Sequence, residues 1–266
     1  MYRHNGQLVA EQHDDEGVVE VVDQDGLRAL HFGTAARQSC MMLADPARLC
    51  MPYERVMMTP LLFKPAPTRV LIIGLGGGSI VRFLLQHCEH TRIDVVELRP
   101  LVVEVARRHF GLPDDPRLQV SIGCGARHVA AGQTEDRGRY DVILVDAYQG
   151  GGMAPEVSSA EFFQHCRNLL RDDGLLAINL WRFDKLVLRD VTRNLIAAFD
   201  WRVHVVPVRN QYNLIGFAFA SAFPKLPTQQ LETQAQQLQQ QLQLDFPEYL
   251  EDLRTSDPLG SLFADD

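Results

Sequence analysis

One stretch of the chain, residues 69–97, constrains the fold more than any other. An apolar run from Val70 to Ile73 is followed by the glycine-rich turn GLGGGS at 74–79, an amphipathic segment, and a second apolar run that ends on Glu97. This order of strand, glycine turn, helix, strand and acid is typical of nucleoside sites in parallel α/β sheets. The glycines allow a sharp turn and a close approach to a ligand, and the acid can accept the hydroxyls of a ribose. The stretch therefore predicts a nucleoside site.

The region that follows alternates between apolar runs and amphipathic segments. The predicted strands are 69–73, 93–97, 118–122, 140–146, 174–180, and two more near 201–208 and 213–220. The predicted helices are 78–88, 100–110, 125–131, 158–171 and 184–199. Such alternation predicts a Rossmann-like α/β fold with a mostly parallel sheet and helices on both faces. Because only a short turn separates the last two runs, we expect them to pair antiparallel at the sheet edge.

A smaller region, residues 1–63, precedes this domain. Three short runs joined by turn sequences predict a small antiparallel β domain, and residues 33–52 are expected to be irregular. A short buried helix is predicted from Tyr53 to Phe63, before the sequence KPAP at 64–67. The boundary of the catalytic domain is therefore placed at residue 64.

The catalytic domain is predicted to span residues 64–224, followed by a helical tail at 225–266. The tail contains a glutamine-rich segment with one apolar stripe, formed by Leu231, Ala235, Leu238 and Leu242. This spacing favours a helix packed on its own domain, and a coiled coil that forms a dimer is the less favoured alternative. The residues from Thr255 onward are expected to be loose.

Composition limits the classes of function. The net charge is −8, and no basic cluster longer than short pairs is present, which argues against nucleic-acid binding and fits a small or cationic substrate. The five cysteines are scattered without a C-x-x-C pair, so we expect reduced thiols, no metal site and a cytoplasmic location. No window is apolar enough for a membrane span, so no membrane partner is expected.

Ligands of parallel α/β sheets bind at the carboxyl ends of the strands, which here carry several candidate residues. Glu97 is predicted to bind a ribose, although a solvated carboxylate before a helix is the simpler alternative. Cys124 and Gly125 follow the third strand and are predicted to lie against the base of the nucleoside, where Cys124 is expected to be a small packing residue rather than a nucleophile. Gly74, Gly76, Gly77 and Gly78 form the predicted cradle for the nucleoside.

Asp146 follows the fourth strand and is the candidate catalytic residue. A carboxylate in a crevice that holds a reactive nucleoside can orient an amine and accept its proton. A turn acid is the alternative, but the residues after Asp146, AYQGGG at 147–152, predict a flexible lid rather than a helix start. Tyr148 is expected to line the pocket, although an aromatic residue in a loop is as often plain packing.

Five segments together resemble the spermidine synthase family of polyamine aminopropyltransferases. They are VLIIGLGGGS at 70–79, DVVE at 94–97, DPRLQVSIGCG at 115–125, YDVILVD at 140–146, and EFF with LLRDDGLL between 161 and 176. The ordered set is specific, whereas each motif alone also occurs in class I methyltransferases. The resemblance covers approximately residues 26–180 and includes the small β region that precedes the larger domain.

This resemblance implies a class I methyltransferase-type sheet, a site for decarboxylated S-adenosylmethionine, a small amine as the second substrate, and a homodimer. It implies that Glu97 binds the ribose and that Asp146 occupies the position of the family's catalytic base. Gln38 and Tyr53 lie near the family's substrate-lining glutamine and tyrosine. An ordinary polar loop residue and a buried tyrosine are the alternative interpretations.

The chain also departs from the family pattern. Gly77 stands where the family carries an aspartate that holds the aminopropyl end of the nucleoside, and Cys124 replaces an adenine-side aspartate. Tyr148 and Gln149, which we count as substrate-lining, follow Asp146 where the family has the motif D-S-S-D. Of the two acids of that motif, this chain keeps Asp146 and lacks the second. Arg55 replaces a further acid, which adds a cation. Diamines carry two charges, and an unpaired charge is costly in a partly dry pocket.

These departures leave three hypotheses about function. The preferred one is aminopropyl transfer from decarboxylated S-adenosylmethionine to a small amine, in polyamine biosynthesis. Because an acid at position 77 would repel the carboxylate of S-adenosylmethionine and Gly77 does not, a methyltransferase is the second. A nucleoside-binding protein without catalysis is the third, and its support is the missing acids.

Overall fold

A computed structural model describes residues 4–134, 136–149, 152–153, 155–221 and 228–256. A small antiparallel sheet comes first, a larger and mostly parallel sheet forms the centre, and two helices follow. Apolar clusters cover both faces of the central sheet. The Rossmann-like α/β class predicted from the alternating pattern is therefore confirmed.

The N-terminal sheet contains four antiparallel strands in chain order, β1 (Gln7–Asp14), β2 (Gly17–Gln24), β3 (Leu27–His31) and β4 (Arg37–Met42). Asp25 and Gly26 form the turn between β2 and β3, and both have the positive φ that tight hairpins favour. The predicted antiparallel sheet is confirmed. The expectation that residues 33–52 are irregular is wrong for β4.

The sequence of β4, RQSCMM, lacks the alternation of apolar and polar residues that marks a strand. Ser39, Cys40 and Met41 are all buried. The hydroxyl of Ser79 in the central domain donates a hydrogen bond of 2.9 Å to the carbonyl oxygen of Cys40, and its Oγ lies 3.3 Å from that of Ser39. Pairing with β3 and these distant contacts form the strand, so no local pattern could predict it.

A disulfide joins β4 to the segment before the first helix. Cys40 and Cys50 form this bond, and their Cα atoms lie 6.1 Å apart. The expectation that all five cysteines are free thiols is therefore wrong for this pair, because the intervening loop folds back and brings the two together. Cys88, Cys124 and Cys166 are free.

The predicted helix at residues 53–63 is divided into two pieces. Helix α1 (Pro52–Val56) is followed by a 3₁₀ turn at Thr59–Leu62. Pro60 lies inside this region and lacks the backbone N–H that a continuous helix needs. The buried side chains of Met57 and Met58 lie between the two pieces and join the core.

The central domain contains β5 (Arg69–Ile73), α2 (Ser79–His87), β6 (Arg92–Glu97), α3 (Pro100–His109), β7 (Leu118–Ile122), α4 (Gly125–Ala131), β8 (Tyr140–Val145), β9 (Tyr148–Gln149), β10 (Gly152–Met153), α5 (Ala160–Leu169), β11 (Leu170–Trp181), α6 (Lys185–Ala198), β12 (Val203–Pro207) and β13 (Asn213–Phe219). The seven-stranded sheet has the order β12-β13-β11-β8-β5-β6-β7. β13 runs antiparallel to both of its neighbours, as the short connection to β12 predicts.

The strand order fixes the place of a ligand. The chain enters the sheet at β5, moves outward through β6 and β7, and then returns to the other side of β5 as β8. The backbone N–H of Asp146 donates to the carbonyl oxygen of Ile73 across this junction, at 2.8 Å. Ligands of open α/β sheets bind at such a reversal point, outside the carboxyl ends of the strands.

The C-terminal region forms two helices, α7 (Thr228–Leu242) and α8 (Phe246–Thr255). Leu231, Ala235 and Leu238 of α7 are buried and belong to the core that also contains residues of α8 and of the 3₁₀ turn. The stripe therefore packs on its own domain. The predicted domain boundaries and the predicted dimer remain predictions, and the expected loose end lies, from residue 257 onward, outside the described residues. No helix in the described part of the chain could cross a membrane.

Candidate active site

A cavity of about 830 Å³ opens at the carboxyl ends of the parallel strands. Its floor is formed by the turn after β5 and by the ends of β6 and β8, and β4 and α1 close one side. Nine predicted site residues line it: Gln38, Tyr53, Gly74, Gly76, Glu97, Cys124, Gly125, Asp146 and Tyr148. The fold therefore brings most of the predicted residues together.

The glycine turn is shaped by close contact with β8. A Cβ atom added to Gly74 would lie 2.2 Å from the carbonyl oxygen of Asp146, and the residue has a φ of +97°. A Cβ added to Gly125, on the opposite side, would lie 2.5 Å from Cγ2 of Ile73. Close packing at these two positions of the cavity floor leaves no room for a residue larger than glycine.

Gly77 and Gly78 belong to the same turn but do not lie among the residues that line the cavity. A Cβ added to Gly77 would lie 2.8 Å from Cδ1 of Phe110 and 2.9 Å from Oγ of Ser39. The side chains of Phe110 and Ser39 thus occupy the space that an aspartate at position 77 would need. Packing against Phe110, which follows α3, and against Ser39 of β4 accounts for this glycine.

Glu97 lies at the end of β6 and is buried. Its Oε2 accepts a hydrogen bond of 2.8 Å from the backbone N–H of Leu75, and its Oε1 accepts one of 2.9 Å from that of Arg99. Burial raises the pKa of this carboxyl, and the backbone donors oppose that shift. The two donors fix the carboxylate toward the glycine turn, and each oxygen retains a lone pair for a further donor.

Asp146 lies just past β8 and receives two side-chain hydrogen bonds. The hydroxyl of Tyr53 donates to Oδ2 at 3.0 Å, and Nδ2 of Asn179 donates to Oδ1 at 2.9 Å. Burial raises the pKa of Asp146 above its ordinary value, and the bonds from Asn179 and Tyr53 partly offset this shift. The result is an oriented carboxylate whose affinity for a proton is increased, as a general base requires.

Two asparagines beside Asp146, both in the cavity lining, were not identified from the sequence. Asn179 on β11 binds Asp146, and Nδ2 of Asn213 on β13 donates to Oδ1 of Asn179 at 2.8 Å. Both side chains are buried. Asn179 interrupts the apolar run LLAINL of β11, and a polar residue in a buried strand needs a partner. That interruption is the signal that could have identified it.

Two charged residues of α1 lie outside the cavity lining. Arg55 donates to the carbonyl oxygens of Leu49, at 2.8 Å, and Cys50, at 3.4 Å, so it does not add a cation to the substrate site. The interpretation of Arg55 as such a cation is therefore wrong. Glu54 is buried beneath the site, and burial together with the charge of Asp146 raises its pKa to about 8.

The predicted lid contains a short two-stranded ribbon. Tyr148 and Gln149 form β9 and pair with Gly152 and Met153 of β10. The side chain of Gln149 and all of residues 150–151 lie outside the described part of the chain, so the lid and the role of Gln149 remain predictions. The hydroxyl of Tyr148 donates a hydrogen bond of 2.9 Å to the carbonyl oxygen of Asn179.

A row of aromatic rings leads from the neighbourhood of Asp146 to the cavity mouth. The ring centroids are 5.3 Å apart for Tyr148 and Trp181, 5.2 Å for Trp181 and Phe183, and 4.9 Å for Phe183 and Tyr212. All four residues line the cavity, and Phe183 and Tyr212 are about two-thirds exposed. We call these four residues the aromatic rim. The rim offers ring faces on which an apolar or cationic group can lie.

Comparisons with known proteins identify the relatives of this chain. The model of the spermine/spermidine synthase domain family matches residues 50–226. A polyamine aminopropyltransferase of Neisseria meningitidis is 34% identical over 242 residues, which are 90% of each protein. Human methyltransferase-like protein 13 in complex with SAH has a TM-score of 0.65 and 28% identity, over 73% of this chain and 93% of that one. A spermidine synthase in complex with the transition-state analogue AdoDATO shares the fold, with a TM-score of 0.72 and 20% identity over 92% of this chain and 84% of that one.

Proposed function

This chain belongs to the spermine/spermidine synthase family, and we propose that it transfers an aminopropyl group from decarboxylated S-adenosylmethionine to a small amine. The observation that carries the proposal is the oriented, buried carboxylate of Asp146 at the reversal point of the sheet, opposite Glu97. The relative from Neisseria meningitidis is named for this activity. A role in polyamine biosynthesis in the cytoplasm follows as part of the proposal.

The residues of the cavity fit a nucleoside. Gly74 and Gly125 leave the floor without side chains, and Glu97 presents acceptor oxygens at the position expected for ribose hydroxyls. Cys124, at the start of α4, lies where the base is expected and offers a small, weakly polar surface. The sulfonium of the donor supplies an electrophilic carbon.

Asp146 performs the proton chemistry in this proposal. It accepts a hydrogen bond from the attacking amine and directs the nitrogen lone pair toward the carbon next to the sulfonium. The new N–C bond forms as the C–S bond breaks, which releases methylthioadenosine. The proton lost by the amine passes to Asp146 and from there to water. Alignment and exclusion of water supply most of the rate.

The aromatic rim is the proposed path of the acceptor. It begins at Tyr148, whose phenol pKa is raised by burial and by the charge of the nearby Asp146, and ends at Tyr212 in the cavity mouth. The described carboxylates of the cavity lining are Asp146, Glu16, Glu97 and Glu156, and none of the four residues of the aromatic rim is an acid. Along the rim, the body of the acceptor would therefore contact ring faces.

A methyltransferase is the second candidate function. The aminopropyl-binding acid of the family is absent at Gly77, whose space is filled by Phe110, so nothing at this position repels a donor carboxylate. The human methyltransferase-like neighbour, at 28% identity, is solved with SAH. This candidate uses the same cavity and the same Asp146, but a methyl group is the group transferred.

The product separates the two candidates. The purified chain is incubated with 1,4-diaminobutane and either decarboxylated S-adenosylmethionine or S-adenosylmethionine, and the nucleoside products are quantified by chromatography. Methylthioadenosine that forms only when the amine is present supports aminopropyl transfer. S-adenosylhomocysteine as the sole nucleoside product would contradict aminopropyl transfer and support the methyltransferase candidate. Calorimetric binding of both donors without any product would contradict both.

A further inference from the structure

A chain of three hydrogen-bonded side chains runs inward from the antiparallel strand β13 to the catalytic candidate. In the sheet register Trp181 is opposite Asn213, so Asn213 and Asn179 are diagonal neighbours on one face. Nδ2 of Asn213 donates to Oδ1 of Asn179 at 2.8 Å, and Nδ2 of Asn179 donates to Oδ1 of Asp146 at 2.9 Å. Each of these two hydrogen bonds thus joins an amide NH₂ donor to an oxygen acceptor.

The orientation of the Asn179 amide decides which form of Asp146 is stabilised. An ionised carboxylate can only accept, so it needs the NH₂ group of the amide, whereas a protonated carboxyl could donate to the amide oxygen instead. Without further restraint, the amide of Asn179 could rotate to suit either form. With Asn213 in its observed orientation, rotation of Asn179 alone is opposed, because the rotated amide would turn its NH₂ group toward the NH₂ group of Asn213.

We propose that Asn213 is a positioning residue that holds the amide of Asn179 in the orientation that donates to Asp146, and thereby keeps the base ionised and aimed. Asn213 lines the cavity, and its effect on Asp146 passes through Asn179, which lies 2.8 Å away. The kinetic part of this inference rests on the proposed function. The orientation itself does not.

Other titratable groups also face Asp146. Tyr53 and Glu54 come from α1, and Tyr148 comes from β9. Arg82 of α2 faces Glu54 rather than Asp146. All of these groups stay unchanged in Asn213→Leu, which introduces no charge, so a change in the titration of Asp146 in that variant reports on the bond between Asn213 and Asn179.

Two variants test the proposal. Asn213→Leu is similar in size and removes the donor. Asn213→Asp keeps the shape, but the introduced carboxylate, when ionised, accepts a hydrogen bond and favours the rotated amide. Loss of one such bond changes an equilibrium by about tenfold, so we expect kcat to fall about tenfold in Asn213→Leu and further in Asn213→Asp. The acid limb of the kcat profile moves to higher pH in both, and the KM for the nucleoside is unchanged.

Asn168→Leu is the matched control. Nδ2 of Asn168 on α5 donates to Oε1 of Gln133 at 2.9 Å, so this variant also removes an amide–amide bond. Neither residue lines the cavity. We expect its kcat and pH profile to match those of the unaltered chain. Variants at position 213 that show the same unaltered profile would overturn the proposal.

A direct titration keeps the inference separate from the proposed function. The carboxyl of Asp146 is followed by carbon-13 NMR and assigned by its absence in Asp146→Asn. A higher midpoint in Asn213→Leu, which adds no charge, supports the proposal, even if the chain transfers neither group. An unchanged midpoint overturns it, even if the chain is an active aminopropyltransferase.

Discussion

The phenol of Tyr53 donates a 3.0 Å hydrogen bond to Oδ2 of Asp146, although 93 residues separate the two in the sequence. Tyr53 lies on α1, in the region that precedes the central domain, and burial together with the charge of Asp146 raises the pKa of its hydroxyl well above the ordinary value. The phenol therefore stays protonated and remains a donor. The N-terminal region thus supplies part of the site and does more than cover it.

Replacing Asp146 by Asn should separate binding from chemistry. We expect Asp146→Asn to bind both forms of the donor nucleoside about as well as the unaltered chain, while kcat falls about 10²–10⁴-fold because the base is lost. Product formation and calorimetric binding measure the two effects. Asp173→Asn, at an exposed carboxylate that pairs with Lys64, is the control. Near-normal turnover in Asp146→Asn would remove Asp146 from the role of base.

Replacing Tyr53 by Phe should change the pH profile of the enzyme. The lost bond stabilises the ionised form of Asp146, so its removal raises the pKa of Asp146 further. As the proposed base, Asp146 must be ionised, so we expect activity to be lost as the pH falls through that pKa and the acid limb to move to higher pH. Tyr249→Phe removes a buried tyrosine hydroxyl on α8, outside the cavity lining, and should leave the profile unchanged. An acid limb that stays in place in Tyr53→Phe contradicts this prediction.

Replacing Glu97 by Gln should weaken binding of the nucleoside and leave binding of the acceptor unchanged. A glutamine offers only one acceptor oxygen, so the N–H of Leu75 or of Arg99 loses its partner, and so does one ribose hydroxyl. We expect the Kd of the nucleoside to rise about tenfold to a hundredfold, which corresponds to about 1.4–2.8 kcal/mol. Titration calorimetry measures this, with Glu104→Gln on the exposed surface of α3 as the control. Unchanged affinity would show that Glu97 does not bind the ribose.

Glu54 should make the free energy of unfolding depend on pH. Its pKa is about 8 in the folded chain against an ordinary value of 4.5, so the folded state holds a proton that the unfolded state releases. Stability from this group is present at low pH and is lost as the pH rises from about 4.5 to 8, by at most about 1.4 kcal/mol per pH unit. The glutamine of Glu54→Gln cannot titrate. The free energy of unfolding, measured with denaturant at pH 5 and pH 8, should therefore decrease less between the two pH values in the variant than in the unaltered chain. Parallel curves for the two proteins would contradict the shift.

Phe183 tests the path of the acceptor. We expect Phe183→Ser to raise the KM of the acceptor amine several-fold with little change in kcat, since an exposed ring face contributes about 0.5–1 kcal/mol. Trp201→Ser removes another exposed ring, outside the cavity lining, and should change neither constant. Steady-state kinetics with varied amine measures both. If the KM of Phe183→Ser equals that of the unaltered chain, the acceptor does not use the rim.

Much of the fold could be predicted because its signals are local. The β-branched runs of β5, β6 and β8 are buried on both faces, and the glycine turn marks where β5 ends. These strands also predicted that Glu97 and Asp146 lie together at the carboxyl ends of the sheet. Three features could not be predicted in the same way, because each depends on residues distant in sequence. They are strand β4, the disulfide between Cys40 and Cys50, and the hydrogen bond between Asn179 and Asn213.

The sequence by itself determined that this chain builds a parallel sheet with a glycine turn and two acids at the ends of its strands. Those features depend on backbone propensity and on the apolar period, which neighbouring residues specify. Only the tertiary structure decided the environment of Asp146. Tyr53 and Asn179 reach it because α1 covers the cavity and β11 lies beside β8, and Asn213 joins them because β13 runs antiparallel beside β11. Hydrogen bonds over such separations form only when the packing of whole elements brings donor and acceptor together.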